Sequence, residues 1–539
     1  MKLFGGSKDE SAKKSKKKET EVRYPYVGPA VPSSWKVVDR YSLNAPFAYA
    51  VVAEDPQTGA KKYFLDEVVL QPREAAIYSY ILNTLESELV VPRSEIDPKE
   101  YFRQQAKRIA VKYHIKASQI AWPKILYFSE RDLVGFGAID GLMRDPNIED
   151  ISADGVKKPL FIYQRKYENM ETNVALRDEA DLDNLISRLA HMAGKHISTA
   201  FPVAQGTLPG RHRLSATFRR EVSPYGSTFT IRKFREDPIT IIDMINMNVI
   251  DHNLAAYVWL LMENRSTAIV AGATGSGKTT MLNALLTLTR LNTKVVTIEE
   301  VQEVNIAHLN WTALVSRESY GTSEDSGREI GLFDLVKAAM RMRPDILVVG
   351  EVRGEEAYVL FQAIATGHGG LCTLHADDTS SAIQRLTSKP MDVPDSFIPF
   401  LDLVFSVRRI AIPLPDGGFR TVRRVISVDE VVSVGNYIRM FTWDPATDKQ
   451  MASPTRTSIK LTRLSKDLGI SLAELTDELE KRAMVLRWIQ QKGIRNFRDL
   501  ATMFEEYRSA PEKLLEQVTA DLSMFNVSAE GERGTGMQL

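Results

Sequence analysis

Residues 268–286 read AIVAGATGSGKTTMLNALL: an apolar run, a glycine-rich elbow and a leucine-spaced segment in immediate succession. Gly272, Gly277, Lys278 and Thr279 keep the spacing G-x-x-x-x-G-K-(S/T), in which a buried strand turns sharply into a helix. Glycines at the elbow allow backbone angles that aim consecutive N–H groups at one point, and a helix starting near Thr279 adds the positive end of its dipole. Such a nest binds phosphate. Gly272, Ala273, Thr274, Gly275, Ser276, Gly277, Lys278, Thr279 and Thr280 are therefore the candidate nucleotide-binding residues. Lys278 would meet the β and γ phosphates, and the Thr279 hydroxyl would hold Mg2+. A turn without a ligand accounts for the glycines but leaves the lysine beside a nest of amide donors with no anion. The N-K-x-D motif of GTPases and the H-R-D motif of protein kinases are both missing, so ATP is the expected nucleotide.

The text around the elbow alternates short apolar runs with amphipathic ones: TAIVAG, KVVTIEE, FDLVKAAMRM, PDILVVGE, EEAYVLFQAIATG and LCTLHA. That alternation predicts a parallel sheet with helices on both faces, whose ligands sit at the carboxyl ends of the strands. KVVTI ends in Glu299 and Glu300, with Glu303 a turn later, and any of these could activate water or be a solvated loop acid. RPDILVVGEVRG ends its apolar run in Gly350, Glu351 and Arg353. Glu351 stands where many P-loop ATPases carry Asp, and its extra methylene favours a water-mediated contact with the metal. Arg353 is either part of the site or a structural ion-pair partner. In ATGHGGLCTLHADD, His368 and His375 have no cysteine or carboxylate at zinc spacing, which argues against a zinc site. His375 would close the same sheet edge as Lys278, Glu299 and Glu351, where an imidazole can sense a γ-phosphate.

At 539 residues the chain exceeds what one hydrophobic core supports. Its 69 basic residues balance 69 acidic ones, so no global basic field calls for nucleic acid. Cys372 is the single cysteine, which excludes an internal disulfide and fits a reducing compartment. No apolar run is long enough to span a membrane and MKLFGG lacks the apolar core of a signal peptide, so a cytoplasmic location is expected. Residues 1–23 read as a flexible basic tail able to touch anionic lipid or an acidic partner. Residues 24–128 read as an N-terminal α+β domain and 129–235 as a second α+β, PAS-like domain. The second opens with a helix over 133–143 and closes with a hairpin made of HRLSATFRR and STFTIRKF. A linker is expected over 236–250, the ATPase domain over 251–430, and a β/helical extension over 431–539. In that extension Ser471 and Glu474 form a capping box, Gly493 ends the helix, and Asn496 opens the next.

GATGSGKTT, VVTIEEVQEV, RPDILVVGEVRG and ATGHGGLCTLHA, in this order, resemble the Walker A, Asp-box, Walker B and His-box motifs of type II/IV secretion ATPases over residues 130 to about 430. HLNWTALVSRES and FTWDPATD are similar to the archaeal branch, whose members drive the archaellum or type IV pili. The resemblance implies an α/β, RecA-like P-loop domain preceded by α+β domains, assembled as a homo-hexamer with ATP lying between the two parts. It also implies a membrane platform protein as partner and a peripheral position at the cytoplasmic face of the membrane. Family roles fall on Glu299, Glu300 and Glu303, on Glu351, and on His368 and His375. Arginines that close on phosphate would fall among Arg213, Arg219 and Arg232. Glu299 is followed by Glu300 where relatives often have Glu-Asp, which leaves open which carboxylate polarises water. A RecA-like nucleic-acid translocase and a non-hydrolysing scaffold are the rival readings.

Overall fold

The computed structural model describes residues 28, 30–88, 97–317, 329–413 and 419–534; the basic segment 1–23 lies outside them. The chain divides into two compact units, Met1–Phe234 and Arg235–Leu539.

In the first unit nine strands form one sheet, ordered Lys36–Asn44, Ala48–Glu54, Lys61–Glu67, Glu168–Ala175, Pro159–Gln164, Ile148–Ala153, Thr228–Arg232, His212–Thr217 and Val203–Leu208. The two runs HRLSATFRR and STFTIRKF pair antiparallel within it, with Leu214 opposite Ile231. The expected division at 128/129 falls inside the helix Ala121–Leu133, and Lys61–Glu67 pairs with Glu168–Ala175 across it. Buried polar chemistry explains why the two segments do not separate. Arg131 Nη1 donates to Glu67 at 2.8 Å and its Nε to Asp132 at 2.8 Å. The Tyr41 and Tyr63 hydroxyls both donate to Asp145, at 2.7 and 2.9 Å. Splitting these pairs would strand buried charge, which is costly. The helix expected over 133–143 is also interrupted. The preceding helix ends at Leu133 and the next runs Asp140–Arg144, because Gly137 takes φ +63° and Gly135 abuts the Asp140 carboxylate.

The second unit has the α/β architecture expected around the elbow. Six strands lie parallel in the order Trp311–Val315, Val295–Glu299, Ile346–Val349, Gly369–Leu374, Ala268–Ala271 and Leu403–Pro413. Phe419–Ser433, Asn436–Asp444 and Lys449–Ala452 then extend the sheet antiparallel. Alternation along each strand sends side chains to two separate cores. Val270, Val295, Val348 and Leu371 pack with the helices Lys278–Leu286 and His252–Glu263 on one face. Ile269, Val296, Val349 and Cys372 pack with Leu332–Met340, Glu356–Ala365 and Thr379–Thr387 on the other. Both faces are apolar, so the strands carry no polar alternation in sequence.

Two expected boundaries differ from this packing. The 236–250 connector contributes Ile241, Ile242, Ile245, Val249 and Ile250 to the same core as the Lys278–Leu286 helix. The point 430/431 lies within the strand Phe419–Ser433, and Leu475, Leu486, Trp488 and Phe504 of the C-terminal helices join that core too. An ion cluster ties them down. Arg482 Nη1 donates to Glu263 at 2.6 Å and stacks 4.7 Å from the Trp259 ring, while Arg508 Nη2 donates to the carbonyls of Leu288 and Thr289 at 3.2 Å each. The Ser471–Glu474 capping box is present, Gly493 takes φ +69° beyond the helix Leu472–Gln491, and Asn496 caps Phe497–Ser509.

Candidate functional site

Four strands of the parallel sheet deliver polar groups to its carboxyl edge. Ala268–Ala271 runs into the glycine loop, where Gly275 and Gly277 take φ +74° and +100°. A side chain at Gly272 would meet the Val407 carbonyl oxygen at 2.5 Å, so the close approach of the neighbouring strand also demands glycine there. Lys278 is the first residue of the following helix and is largely buried. Its Nζ donates to the Ala273 carbonyl at 3.2 Å and lies 3.4 Å from His375 Nε2. Burial lowers the Lys278 pKa, with Glu351 opposing it. Ala273, Thr274 and Gly275 are exposed at the loop's crest, Thr279 and Thr280 are half-buried, and the Ser276 hydroxyl is buried without a partner.

Gly369–Leu374 delivers His375, whose Nε2 lies 2.8 Å from Glu351 Oε1 at the end of Ile346–Val349. Burial and then Lys278 hold His375 below its ordinary pKa, which favours the neutral ring. Lys278 Nζ lies within 3.5 Å of both His375 ring nitrogens, so the tautomer decides which of them accepts from the ammonium. Glu351 Oε2 accepts from Arg353 Nη2 at 2.6 Å. Burial pushes the Glu351 carboxyl up, but Arg353, His375 and Lys278 outweigh it and keep it below the usual range. Arg353 also approaches Glu300, Nη1 to Oε1 3.6 Å, and Glu300 is exposed.

Val295–Glu299 delivers a carboxylate of another kind. Glu299 is buried; its Oε1 accepts from the backbone N–H groups of Glu303 and Val304 at 2.8 and 3.0 Å, and its Oε2 has no partner. Burial lifts its pKa to about 7 despite those two donors. Glu303 is placed through its backbone, its carbonyl accepting from Asn283 Nδ2 of the Lys278–Leu286 helix at 3.3 Å.

Not every expected residue arrives at this edge. His368 sits at the opposite end of its strand, with Nδ1 3.0 Å from the Ala363 carbonyl beneath the helix Glu356–Ala365. Six strand residues separate it from His375, roughly 20 Å at the rise of a strand. Arg213, Arg219 and Arg232 belong to the first unit. Arg213 and Arg232 are direct cross-strand partners and line a groove of about 580 Å³ together with Asp150, Asp154 and Tyr163. Arg219 stands apart, its Nε donating to Asp183 at 3.0 Å.

Sequence reading missed Arg423, whose Nε donates to the Gly275 carbonyl at 3.2 Å, and Arg409, its antiparallel partner. The doublets Arg408–Arg409 and Arg423–Arg424 were the available signal. It was obscured because the hairpin that superposes them on the glycine loop is long-range. Among the described residues no group of three or more His, Cys, Asp or Glu could hold a metal unaided. Thr279 could supply a hydroxyl to Mg2+, and Glu351, whose Oε2 accepts from Arg353 while its buried Oε1 has no hydrogen-bond donor, a water-mediated contact.

Residues 136–400 match the family model described as "Type II/IV secretion system protein", and residues 450–531 match "PilB3-like, C-terminal". The chain is 32% identical over 484 residues to the protein MJ0900 of Methanocaldococcus jannaschii, covering 84% of this chain and 86% of that one. It is 38% identical over 272 residues to MJ1287 of the same organism, covering 49% and 97%. The Legionella pneumophila ATPase DotB is similar at 19% identity and TM-score 0.39, over 71% of this chain and 94% of DotB. With four motifs gathered on one sheet edge, a matching family model and a relative aligned over most of both chains, the protein belongs to the type II/IV secretion system protein family.

Proposed function

We propose that the protein is an ATPase that works as a homo-hexamer, hydrolysing ATP with Mg2+ and driving assembly or rotation of an archaellum or type IV pilus-like filament through a membrane platform protein. The observation that supports it most is the Lys278–His375–Glu351 chain beside a buried Glu299 with a free oxygen and a pKa near 7. Lys278 exchanges the Ala273 carbonyl for the β and γ phosphates when nucleotide enters the loop. Glu299 takes a proton from the attacking water as the bond between γ-phosphorus and the bridging oxygen breaks, releasing ADP and phosphate. Mg2+, which Thr279 and, through water, Glu351 would hold, would supply neutralisation of phosphate charge. Glu351 orients His375, which reads the γ-phosphate; Glu300 and Glu303 shape the acid cluster. Arg213 and Arg232 are assigned the neutralisation of developing phosphate charge, and the segment near Pro238 the role of a hinge. The ring works at the cytoplasmic face of the membrane, with the lysine-rich tail touching anionic lipid.

Phosphate release from Mg2+–ATP by the purified chain tests this. Turnover that Lys278→Ala abolishes is expected; no turnover by the native chain, with or without anionic vesicles, would sink it. Stimulation by DNA instead of by vesicles would favour the translocase reading, which the balanced charge of the chain disfavours.

A further inference from the structure

The strand order divides the surroundings of the glycine loop in two. Glu299, Glu351 and His375 come from Val295–Glu299, Ile346–Val349 and Gly369–Leu374, all on one side of Ala268–Ala271. On the other side Leu403–Pro413 pairs with that strand only as far as Ala271 opposite Ser406, then continues past the loop with Phe419–Ser433 as its antiparallel partner. This overhang places Arg409 directly opposite Arg423, and antiparallel partners project to one face. Both side chains are exposed, in contrast to the neighbouring Arg424, which is buried against Asp448 at 2.7 Å. Arg423 reaches the loop: its Nε donates to the Gly275 carbonyl, and a side chain at Gly277 would lie 3.2 Å from its Cδ. No carboxylate ion pair is seen for Arg409 or Arg423 among the described residues. Two like charges set opposite each other cost stability unless an anion is shared between them.

We infer that Arg423, backed by Arg409, binds the α- and β-phosphates of the nucleotide from the side opposite the γ-phosphate chemistry. The inference rests on the nucleotide-binding reading of the loop and adds a separate cationic wall to it. Because the α- and β-phosphates are common to ATP and ADP, this wall sets affinity for both and slows product release, while the barrier to hydrolysis is set across the strand. A planar guanidinium fork suits a diphosphate better than an ammonium does.

The test uses the full chain with Mg2+ and a fluorescent methylanthraniloyl-ADP, with thermal melts of each nucleotide-free variant as the folding check. Arg423→Gln should weaken binding about tenfold, Arg409→Gln about threefold, and Arg423→Lys by an intermediate amount, with differences shrinking as salt rises. KM for ATP should rise in step while kcat moves less than threefold. Were Arg423 only a buttress for the Gly275 carbonyl, Arg409→Gln would bind as the native chain does, and that result overturns the inference even if Arg423→Gln misfolds. Native-like binding by Arg423→Gln also overturns it. Failure of the native chain to bind the probe would instead bring down the nucleotide reading of the loop, and this inference with it.

Discussion

The two units solve opposite problems with sheets of the same size. In the second, the central parallel strands are buried on both faces, and Lys278, Glu299, Glu351 and His375 stand where those strands stop, at one edge. In the first, antiparallel strands keep a polar groove on the sheet itself, where Arg213 and Arg232 face Asp150 and Asp154. The physical consequence is a difference in rigidity of purpose. A group at the end of a buried strand is fixed by the core beneath it and can be tuned by burial, as Glu299 is. A groove of exposed cations is adaptable, suited to meeting an anion that arrives.

If chemistry lives in the second unit and charge is supplied by the first, substitutions should separate them. Lys278→Ala should remove hydrolysis altogether, a loss beyond a thousandfold in phosphate release; retained turnover would mean that the parallel edge is not the reacting site. Arg232→Ala should lower kcat on the order of a thousandfold while leaving much of the ADP affinity, since it acts on γ-phosphate charge. An equal loss of ADP affinity would instead make the groove part of the ground-state binding site. Glu263→Ala leaves Arg482 and Arg508 without their shared carboxylate beneath the loop helix, and should cost about 4 kcal/mol in denaturant unfolding. A cost under 1 kcal/mol would show that the C-terminal helices are only lightly docked.

Glu299 gives the pH test. Its folded pKa of about 7 lies above the ordinary 4.5, so its contribution to stability is complete below 4.5 and is lost as pH rises through 7. The loss amounts to about 3 kcal/mol. Glu299→Gln should abolish that decline, being more stable than the native chain at pH 8, while native turnover rises through the same interval as the base deprotonates. A pH-independent difference between the two proteins would remove the buried carboxylate from the account. Smallest of all, Arg219→Ala should cost below about 1 kcal/mol and leave kcat unaltered, because its exposed pair with Asp183 is a surface interaction. A large kinetic effect there would erase the distinction drawn between Arg219 and the groove arginines.

Much of the second unit was legible because its signals are local. The glycine loop, the capping box of Ser471 and the C′ glycine at 493 depend on residues within a few positions of one another. The strand ends at Glu299, Glu351 and His375 share an edge because parallel βα units always point their carboxyl ends one way. His368 illustrates the limit: a histidine seven positions from His375 looks equivalent in a motif, yet the intervening strand carries it to the far edge. The division after Phe234 falls within a residue of the expected 235/236 boundary, whereas those at 128/129 and 430/431 cut through packed elements for a similar reason. Arg131 with Glu67, and Arg482 with Glu263, join residues more than sixty positions apart, and nothing in local composition announces which charge a buried arginine will meet.

Sequence by itself determined that residues 268–286 form strand, nest and helix, since backbone freedom at glycine and a buried apolar run leave that segment few alternatives. It also determined which acids and which histidine stand at strand ends. Only the tertiary structure decided that the 236–250 segment and the C-terminal helices belong to the core of the second unit, that Glu299 is the carboxylate kept from water, and that Arg409 and Arg423 overhang the loop. Burial and long-range pairing belong to the packed chain as a whole, and no short window of residues contains them.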